Sequence, residues 1–142
     1  MDHPIEFFSE DVDFELNNPE QVSEWIATVI DNHGQELGDL TYIFCSDDYL
    51  HEINVEYLDH DTLTDIITFN NADEEGTVEG DIFISVDRVR DNANDLGTIF
   101  EDELHRVIIH GVLHLLGFKD KTEEEEVLMR KEEDSSLSLR KF

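Results

Sequence analysis

The sequence predicts an α+β fold in which a small mixed sheet of about four strands packs against five helices. Segments rich in apolar and β-branched residues alternate with segments whose apolar residues recur at helical spacing. In chain order these segments read β-α-β-α-β-β-α-α-α. The 142 residues contain two prolines and no repeat or low-complexity linker, so we expect a single domain over residues 1–142.

The first strand and helix are predicted from apolar spacing and start signals. Residues 5–8 are a short, mostly apolar strand. Asn18 and Pro19 supply a helix N-cap and the proline favoured at the first helical position. Gly34 is expected to end this helix. Apolar residues between these points follow helical spacing, namely Val22, Trp25, Ile26, Val29 and Ile30.

The middle of the chain predicts a strand, a helix and two further strands. Residues 40–45 form an apolar, β-branched strand, and Ser46 can cap a helix that runs to Tyr57. Residues 64–69 and 81–86 are two more strands. The polar, glycine-containing segment between them predicts a hairpin-like pairing.

The chain after Asp87 is predicted to be helical. Thr98 begins a capping-box pattern, Thr-Ile-Phe-Glu, which opens a helix that runs to about Leu116. Thr122 begins a similar pattern at the start of the last helix. The tail from Asp134 is expected to fray.

The charge of the chain is strongly acidic and unevenly distributed. Nine Lys and Arg residues face 37 Asp and Glu residues, a net charge of -28, and all nine basic residues lie at or after Arg88. Such a surface repels polyanions over about 8 Å at physiological salt, so composition alone argues against nucleic-acid binding. Two interpretations stay open: the charge serves solubility or a salty interior, or acidic walls leave a small positive island around a metal site.

Several features favour a reducing cytoplasm. The apolar runs are shorter than the ~18 residues that span a membrane, and residues 1–4 do not resemble the start of a signal peptide. The single cysteine, Cys45, cannot form an internal disulfide. We therefore expect a cytoplasmic protein without a membrane partner.

The segment from His110 to Asp120 has the pattern of a metal site. His110 and His114 are four residues apart, so both imidazoles project from one helix face and can reach one ion at about 2.0–2.1 Å. Gly117 can end the helix in the left-handed conformation and reverse the chain. Asp120 is the first residue after this reversal that can ligate a metal.

Three protein ligands and one open position are typical of catalytic zinc, whereas structural zinc has four ligands that are often cysteines. We therefore predict one catalytic divalent metal ion, with zinc as the expected ion, bound by His110, His114 and Asp120. The alternative is that the two histidines are satisfied residues of an apolar core helix.

Gly111 distinguishes this pattern from that of a metalloprotease. In zincin proteases the residue after the first histidine is a glutamate that acts as general base. A bound zinc ion lowers the pKa of its water toward ~7, so hydrolysis remains feasible without that carboxylate. A phosphodiester is therefore a better candidate substrate than a peptide, and a metallopeptidase stays as an alternative.

Three blocks of the sequence resemble the YbeY-type bacterial endoribonucleases. Residues 110–118, HGVLHLLGF, are similar to the family signature H-G-x-L-H-L-x-G-Y-D-H. Residues 53–57 and 61–69 resemble the block L-N-x-x-Y-R-x-K-D-x-P-T-D-V-L-S-F, and residues 80–85 resemble G-D-I-x-I-S. The blocks occur in the family order, which makes the resemblance specific.

The resemblance implies a zinc-dependent, single-strand-specific endoribonuclease in ribosomal RNA maturation and small-subunit quality control. It also implies a mixed four-stranded sheet and a metal helix similar to that of zincins. The ligand positions of the family fall on His110, His114 and position 120. Its expected partners are ribosomal RNA and the small ribosomal subunit, with a basic ribosomal protein as one route to them. We expect a monomer and no DNA partner.

Three positions depart from the family pattern. The third ligand, usually histidine, is Asp120, and a carboxylate moves the site toward harder ions such as manganese or iron. The family arginine, which suits phosphate binding and transition-state charge, is Leu58, and its lysine is His60. The family proline is Leu63.

The identity of the catalytic residues stays open. His60 is either an acid that substitutes for the missing arginine or an ordinary loop histidine. Asp61 and Asp65 approach the metal helix in relatives, where either can orient water or act as base; the alternative is a turn cap and a strand-start carboxylate. The missing arginine and the acidic charge favour a further alternative, a non-catalytic ribosome-assembly factor with a structural metal.

Overall fold

The computed structural model describes residues 5–58, 64–72 and 74–142, with the backbone alone for residues 57 and 58. Four strands and five helices lie within these residues. In chain order they are β1 (Ile5–Ser9), α1 (Pro19–Asn32), β2 (Glu36–Cys45), α2 (Asp47–Leu58), β3 (Ile66–Asn70), β4 (Thr77–Ser85), α3 (Val86–Leu96), α4 (Phe100–Leu115) and α5 (Glu123–Leu137). The predicted α+β class and the predicted order of elements are confirmed for the described part of the chain.

The four strands form one mixed sheet with the order β1-β2-β4-β3. Strands β1, β2 and β4 are parallel, and β3 pairs with β4 as the predicted antiparallel hairpin. Gly80 in β4 pairs with Asn70, and an added Cβ there would overlap the carbonyl oxygen of Phe69. Strand β3 lies at the sheet edge and also contacts α4, so the hairpin borders the predicted metal helix.

Helices cover both faces of the sheet. The larger core lies between the sheet and helices α1, α3 and α4. Within it, the Tyr42 hydroxyl donates a hydrogen bond to the carbonyl oxygen of Ile108 at 3.0 Å, which ties the sheet to the middle of α4. A smaller core under α2 contains Cys45 and Ile67. Burial, reinforced by nearby carboxylates, raises the pKa of the Cys45 thiol to about 12.

The C-terminal segment is anchored to the rest of the fold. Helix α5 continues through Leu137, and the Trp25 indole N–H donates to the buried carbonyl oxygen of Ser136 at 2.7 Å. The guanidinium of Arg140 donates to His105 Nδ1 at 2.8 Å. The fraying predicted from residue 134 onward is therefore wrong, because long-range contacts that local composition does not reveal hold this segment.

The last two helices begin close to their predicted positions, but only one of them has its predicted N-cap. The capping box of Thr122 and Glu125 is present as predicted. Helix α4, however, begins at Phe100 with Ile99 as its N-cap and no side-chain cap, so the predicted role of Thr98 is wrong. The Thr98 hydroxyl lies one residue too early and donates to the carbonyl oxygen of Ile99. Across the residues that the structure describes, the helices fall short of the length and apolarity that a membrane span requires.

Two strands begin earlier than predicted. β2 starts at Glu36 and β4 at Thr77, and these two residues pair with one another in the parallel ladder. Both side chains are polar, so the apolar pattern of the sequence does not reveal that the strands begin here. The pairing forms because it depends on backbone groups rather than on side chains. The register shifts between Leu37 and Leu40, which marks an irregularity ahead of the regular pairing.

Candidate metal centre

The end of α4 is the framework of the candidate site. His110 and His114 lie one turn apart, and their Nε2 atoms are 2.9 Å from each other. Gly117 follows with a φ of 109°, and the N–H groups of Gly117 and Phe118 donate to the carbonyl oxygens of His114 and Leu113, both at 3.0 Å. This is the hydrogen-bond pattern of a Schellman motif, in which a glycine takes the left-handed position. The chain therefore turns back directly after the second histidine, as predicted.

Asp120 lies beyond this turn and returns to the two histidines. Its Oδ2 atom is 3.3 Å from the Nε2 atom of His110 and 3.3 Å from that of His114. Ligands around a tetrahedral ion with bonds of about 2.0–2.1 Å lie roughly 3.3 Å apart, so this spacing suits one ion. The structure thus brings the three predicted ligands together, with one candidate ligand atom from each within 4.8 Å of the others.

The outer nitrogen of each imidazole faces an acceptor. His110 Nδ1 lies 2.6 Å from Glu133 Oε2, and His114 Nδ1 lies 3.0 Å from the carbonyl oxygen of Phe118. These oxygens assign the proton of each neutral ring to Nδ1 and leave the Nε2 lone pair directed inward. Two lone pairs and the Asp120 carboxylate then converge, an arrangement that only a shared proton or a cation can stabilise. The donor set therefore fits a divalent metal ion.

Glu133, on α5, is a site residue that sequence reasoning missed. Its side chain is 8% exposed, and its Oε1 atom accepts a hydrogen bond from Arg106 Nη1 at 2.8 Å. Burial favours the protonated acid, but the hydrogen bonds from His110 and Arg106 outweigh it and lower the pKa of Glu133. Its place on the helix was the signal that could have identified it. Met129, Glu133 and Ser136 form the buried face of α5, where an acidic residue is unexpected.

The carboxylate of Glu133 also changes the properties of His110. Burial disfavours the imidazolium, yet the hydrogen bond and charge of Glu133, together with the charges of Asp120 and Asp65, raise the pKa of His110 above its ordinary value. An imidazole whose Nδ1–H faces a carboxylate is a more basic ligand through its other nitrogen. The site therefore contains the three candidate ligands and a buried carboxylate in contact with one of them.

An open cleft of about 660 Å³ lies beside the ligands. One wall is the ligand segment of α4, and the other is β3 with the residues just before it. Asp65 lines the second wall, where burial raises its pKa although the nearby His110 opposes the shift. Of the three catalytic candidates, Asp65 therefore borders the cleft. His60 and Asp61 lie outside the described residues, as does the side chain of Leu58.

Two basic side chains lie beside the ligands. Lys121 lines the cleft next to Asp120, and it is the one Lys or Arg among the described residues that line it. Arg130, on α5, lines a separate hollow to which His110 and Asp120 also contribute. The candidate site thus combines these two cations with the carboxylates of Asp65, Asp120 and Glu126, so the surroundings of the ligands are mixed in charge rather than a positive island.

Gly111 packs against the sheet. A Cβ at this position would lie 3.0 Å from the Cδ1 atoms of both Ile66 and Ile82. The position therefore has little room for a side chain. It also lacks the glutamate that a metalloprotease has there, because the residue is glycine. This packing weakens the metallopeptidase alternative.

Comparisons with known proteins find relatives over nearly the whole chain. A family model described as Endoribonuclease YbeY matches residues 5–140. The protein of that name from Christiangramia forsetii is 52% identical over 95% of this chain and 93% of its own length. The one from Cytophaga hutchinsonii is 51% identical over 97% of this chain and 96% of its own length.

A solved structure is also similar in fold. The solution structure of TM1509 from Thermotoga maritima has a TM-score of 0.66 and 26% sequence identity, and the match covers 95% of this chain and 87% of that one. Together with the relatives by sequence, this structure confirms the resemblance and the fold class that the sequence predicted.

Proposed function

This chain belongs to the endoribonuclease YbeY family, and from that premise we propose that it cleaves single-stranded ribosomal RNA with one zinc ion held by His110, His114 and Asp120. The observation that supports the proposal most is the convergence of these three side chains at the end of a helix that carries the family signature. The proposed setting is ribosomal RNA maturation and small-subunit quality control in the cytoplasm.

The three ligands would hold the ion at the side of the cleft, because all three line it. A zinc ion in this position would polarise the scissile phosphate and acidify a water molecule. His110 and His114 bind through neutral nitrogens, whereas Asp120 contributes a negative charge that reduces the net charge of the centre. The adjacent cleft gives an extended RNA strand access to the ligands, since both histidines and Asp120 line it.

We assign proton transfer to Asp65. It lines the cleft together with His110 and His114, and burial raises its pKa, which makes its carboxylate a stronger base than an exposed aspartate. Asp65 accepts the proton of the attacking oxygen, which belongs either to water or to the ribose 2′-hydroxyl. The neighbouring candidates His60 and Asp61 stay as proposed alternatives for the acid or base.

Lys121 and Arg130 are the proposed contacts to the RNA backbone. Because Leu58 occupies the position of the family arginine, another cation is needed where negative charge develops on the phosphate. Lys121 lines the cleft, and it has no ion-pair partner within the described residues. Arg130 lies 3.6 Å from Glu133 Oε1, but its side chain is 58% exposed. Arg106 is held by shorter contacts to both Glu133 and Asp134, so it is less suited to this role.

The proposed partners have to be compatible with the acidic charge of the protein. With a net charge of -28, the chain repels free RNA at long range. We propose that a ribosomal protein with a basic surface recruits a monomer of this chain to the small subunit, where the local cations next to the metal centre contact the RNA.

A cleavage assay with matched histidine variants tests the function. His114→Ala removes one ligand, whereas His51→Ala changes a histidine on α2 that does not line the cleft. With single-stranded RNA derived from ribosomal RNA, we expect His51→Ala to cleave like the wild type and His114→Ala to lose cleavage. Equal cleavage by both variants contradicts the proposal. No cleavage by any variant at any metal, with cosedimentation of the protein with small subunits, supports the assembly-factor alternative.

A further inference from the structure

The hydrogen-bonded group of Arg106, Glu133 and His110 connects α5 to the metal ligands. Glu133 uses its two carboxylate oxygens separately: Oε1 accepts from Arg106 Nη1 at 2.8 Å, and Oε2 lies 2.6 Å from His110 Nδ1. Arg106 also donates to Asp134 Oδ1 at 2.7 Å through its other terminal nitrogen. Glu133 is buried, whereas the Asp134 side chain is 61% exposed.

The two carboxylate oxygens of Glu133 have different partners, which points to a role beyond an ion pair. A buried carboxylate is costly unless it is fully hydrogen-bonded, and Arg106 alone could satisfy both oxygens in a bidentate pair. Here the arginine is divided between Glu133 and Asp134, and one oxygen of Glu133 is left for the imidazole. The bond to His110 fixes both the rotation of the ring and the nitrogen that carries the proton.

We propose that Glu133 is a positioning residue for the metal centre: it holds His110 with Nε2 toward the ion, and Arg106 in turn holds Glu133. The inference rests on the proposed function, since it assumes that the three ligands bind a metal. His114 is positioned differently, because its Nδ1 faces the backbone carbonyl of Phe118. One ligand is therefore oriented by α5, and the other by the turn that ends α4.

Zinc affinity, measured by competition with a chromogenic chelator, tests the proposal without reference to catalysis. Glu133→Ala is expected to weaken zinc binding by about 10- to 100-fold, the range typical for loss of an outer partner of a metal-ligating histidine. Glu133→Gln keeps the size and one acceptor oxygen, so it is expected to recover part of this loss. Asp134→Asn is the matched control, because the amide oxygen can still accept from Arg106 and position 134 does not contact His110, so the zinc affinity should stay within about twofold of the wild type.

The absorption spectrum of the cobalt-substituted protein gives a second measurement. Displacement of the His110 ring changes the ligand field, so Glu133→Ala should shift the visible bands while Asp134→Asn leaves them in place. If Glu133→Ala does not fold, Glu133→Gln carries the test, with folding checked by circular dichroism. Wild-type affinity and an unshifted spectrum in the folded Glu133 variants overturn the positioning role. Failure of the wild type to bind zinc or cobalt instead overturns the metal-dependent function itself, so the two failures are distinguishable.

Discussion

The wall of the cleft formed by the ligand segment of α4 is supported by hydrogen bonds, including one from α5 behind it, whereas the wall formed by β3 is held by strand pairing and apolar packing. In the first wall, His110 and His114 each have a partner at Nδ1, and Asp120 returns to both. In the second, Asp65 lies directly before an edge strand, and its Oδ2 atom accepts a long hydrogen bond of 3.4 Å from Asn92.

Under the proposed function, the difference separates metal binding from proton transfer. Metal ligands must hold a fixed geometry, so they benefit from a cross-linked wall. A general base must instead reach the substrate and have a raised pKa. Asp65 reaches the cleft, and its partial burial without a strong ion-pair partner raises its pKa. Changes in the α4 wall, or in the α5 side chain that supports it, should therefore affect metal affinity, and changes in the β3 wall should affect turnover.

Metal removal should have the largest effect of all. Dialysis against a chelator is expected to abolish RNA cleavage, and added zinc should restore it. At a free zinc concentration of 100 times Kd, binding should also raise the free energy of unfolding by about 2.7 kcal/mol. Urea denaturation with and without zinc measures this gain, which His110→Ala should lose. Stabilisation of His110→Ala by zinc to the same degree would show that the ion binds elsewhere.

Asp65→Asn tests the other wall. Loss of a general base typically lowers turnover by about 10²–10⁴-fold, and we expect a loss of this size with zinc affinity unchanged. A large fall in zinc affinity would contradict the assignment, because it would make Asp65 part of the binding wall. Glu126→Gln, an exposed position in α5, provides a control for the loss of one negative charge near the site.

Asp65→Asn is also expected to change the free energy of unfolding of the metal-free protein. Burial raises the pKa of Asp65 above 3.8, so its charged form is less favourable in the folded protein than in the unfolded chain. This penalty is absent below the unfolded pKa, develops as pH rises from the unfolded to the folded pKa, and is fully present above the folded pKa. Asp65→Asn should therefore raise the free energy of unfolding of the metal-free protein at pH 7, and the gain should disappear near pH 3. Urea denaturation at the two pH values checks the sign.

Gly80→Ala tests whether the β3 wall depends on backbone pairing. The added methyl group overlaps the carbonyl oxygen of Phe69, and the backbone must shift to relieve it. We expect destabilisation of about 3 kcal/mol, at the upper end of the range for overpacked positions. Gly34→Ala is a comparison in open space, where only the positive φ opposes the substitution. A smaller loss for Gly80→Ala than for Gly34→Ala in urea denaturation would show that the hairpin adapts.

Thr122→Ala should have the smallest effect. It removes the side-chain acceptor for the N–H of Glu125 and one half of the capping box of α5. The expected loss is about 1 kcal/mol of unfolding free energy, measured as a lower urea midpoint. Zinc affinity should change little, because Glu133 lies further along the helix; a loss as large as that of Glu133→Ala would mean that the helix start controls the site.

The sequence was sufficient for the parts of the site that are local. Two histidines on one face, a left-handed glycine and a returning carboxylate lie within one segment, so helix periodicity and turn chemistry predicted their convergence. The strand and helix order was predictable for the same reason. The starts of β2 and β4 were missed because polar residues take part in backbone pairing there.

The remainder of the site depends on tertiary contacts. Glu133 reaches His110 only because α5 packs on α4, and no spacing rule links residues so far apart. The same limit applies to the tail, where the bond from Trp25 to Ser136 overrides a composition typical of fraying. The predictions for His60 and Asp61 lie outside the described residues and stay predictions, as does the single-domain assignment.

The position of Glu133 has a consequence for the order of events during synthesis. The ribosome completes α4, with both histidines, before it translates the helix that carries Glu133. A nascent chain at that stage has its imidazoles but no carboxylate to orient the first of them. The proposed orientation of His110 is therefore acquired only after α5 has been translated and has docked on α4, so the two histidines are in place before the side chain that fixes one of them.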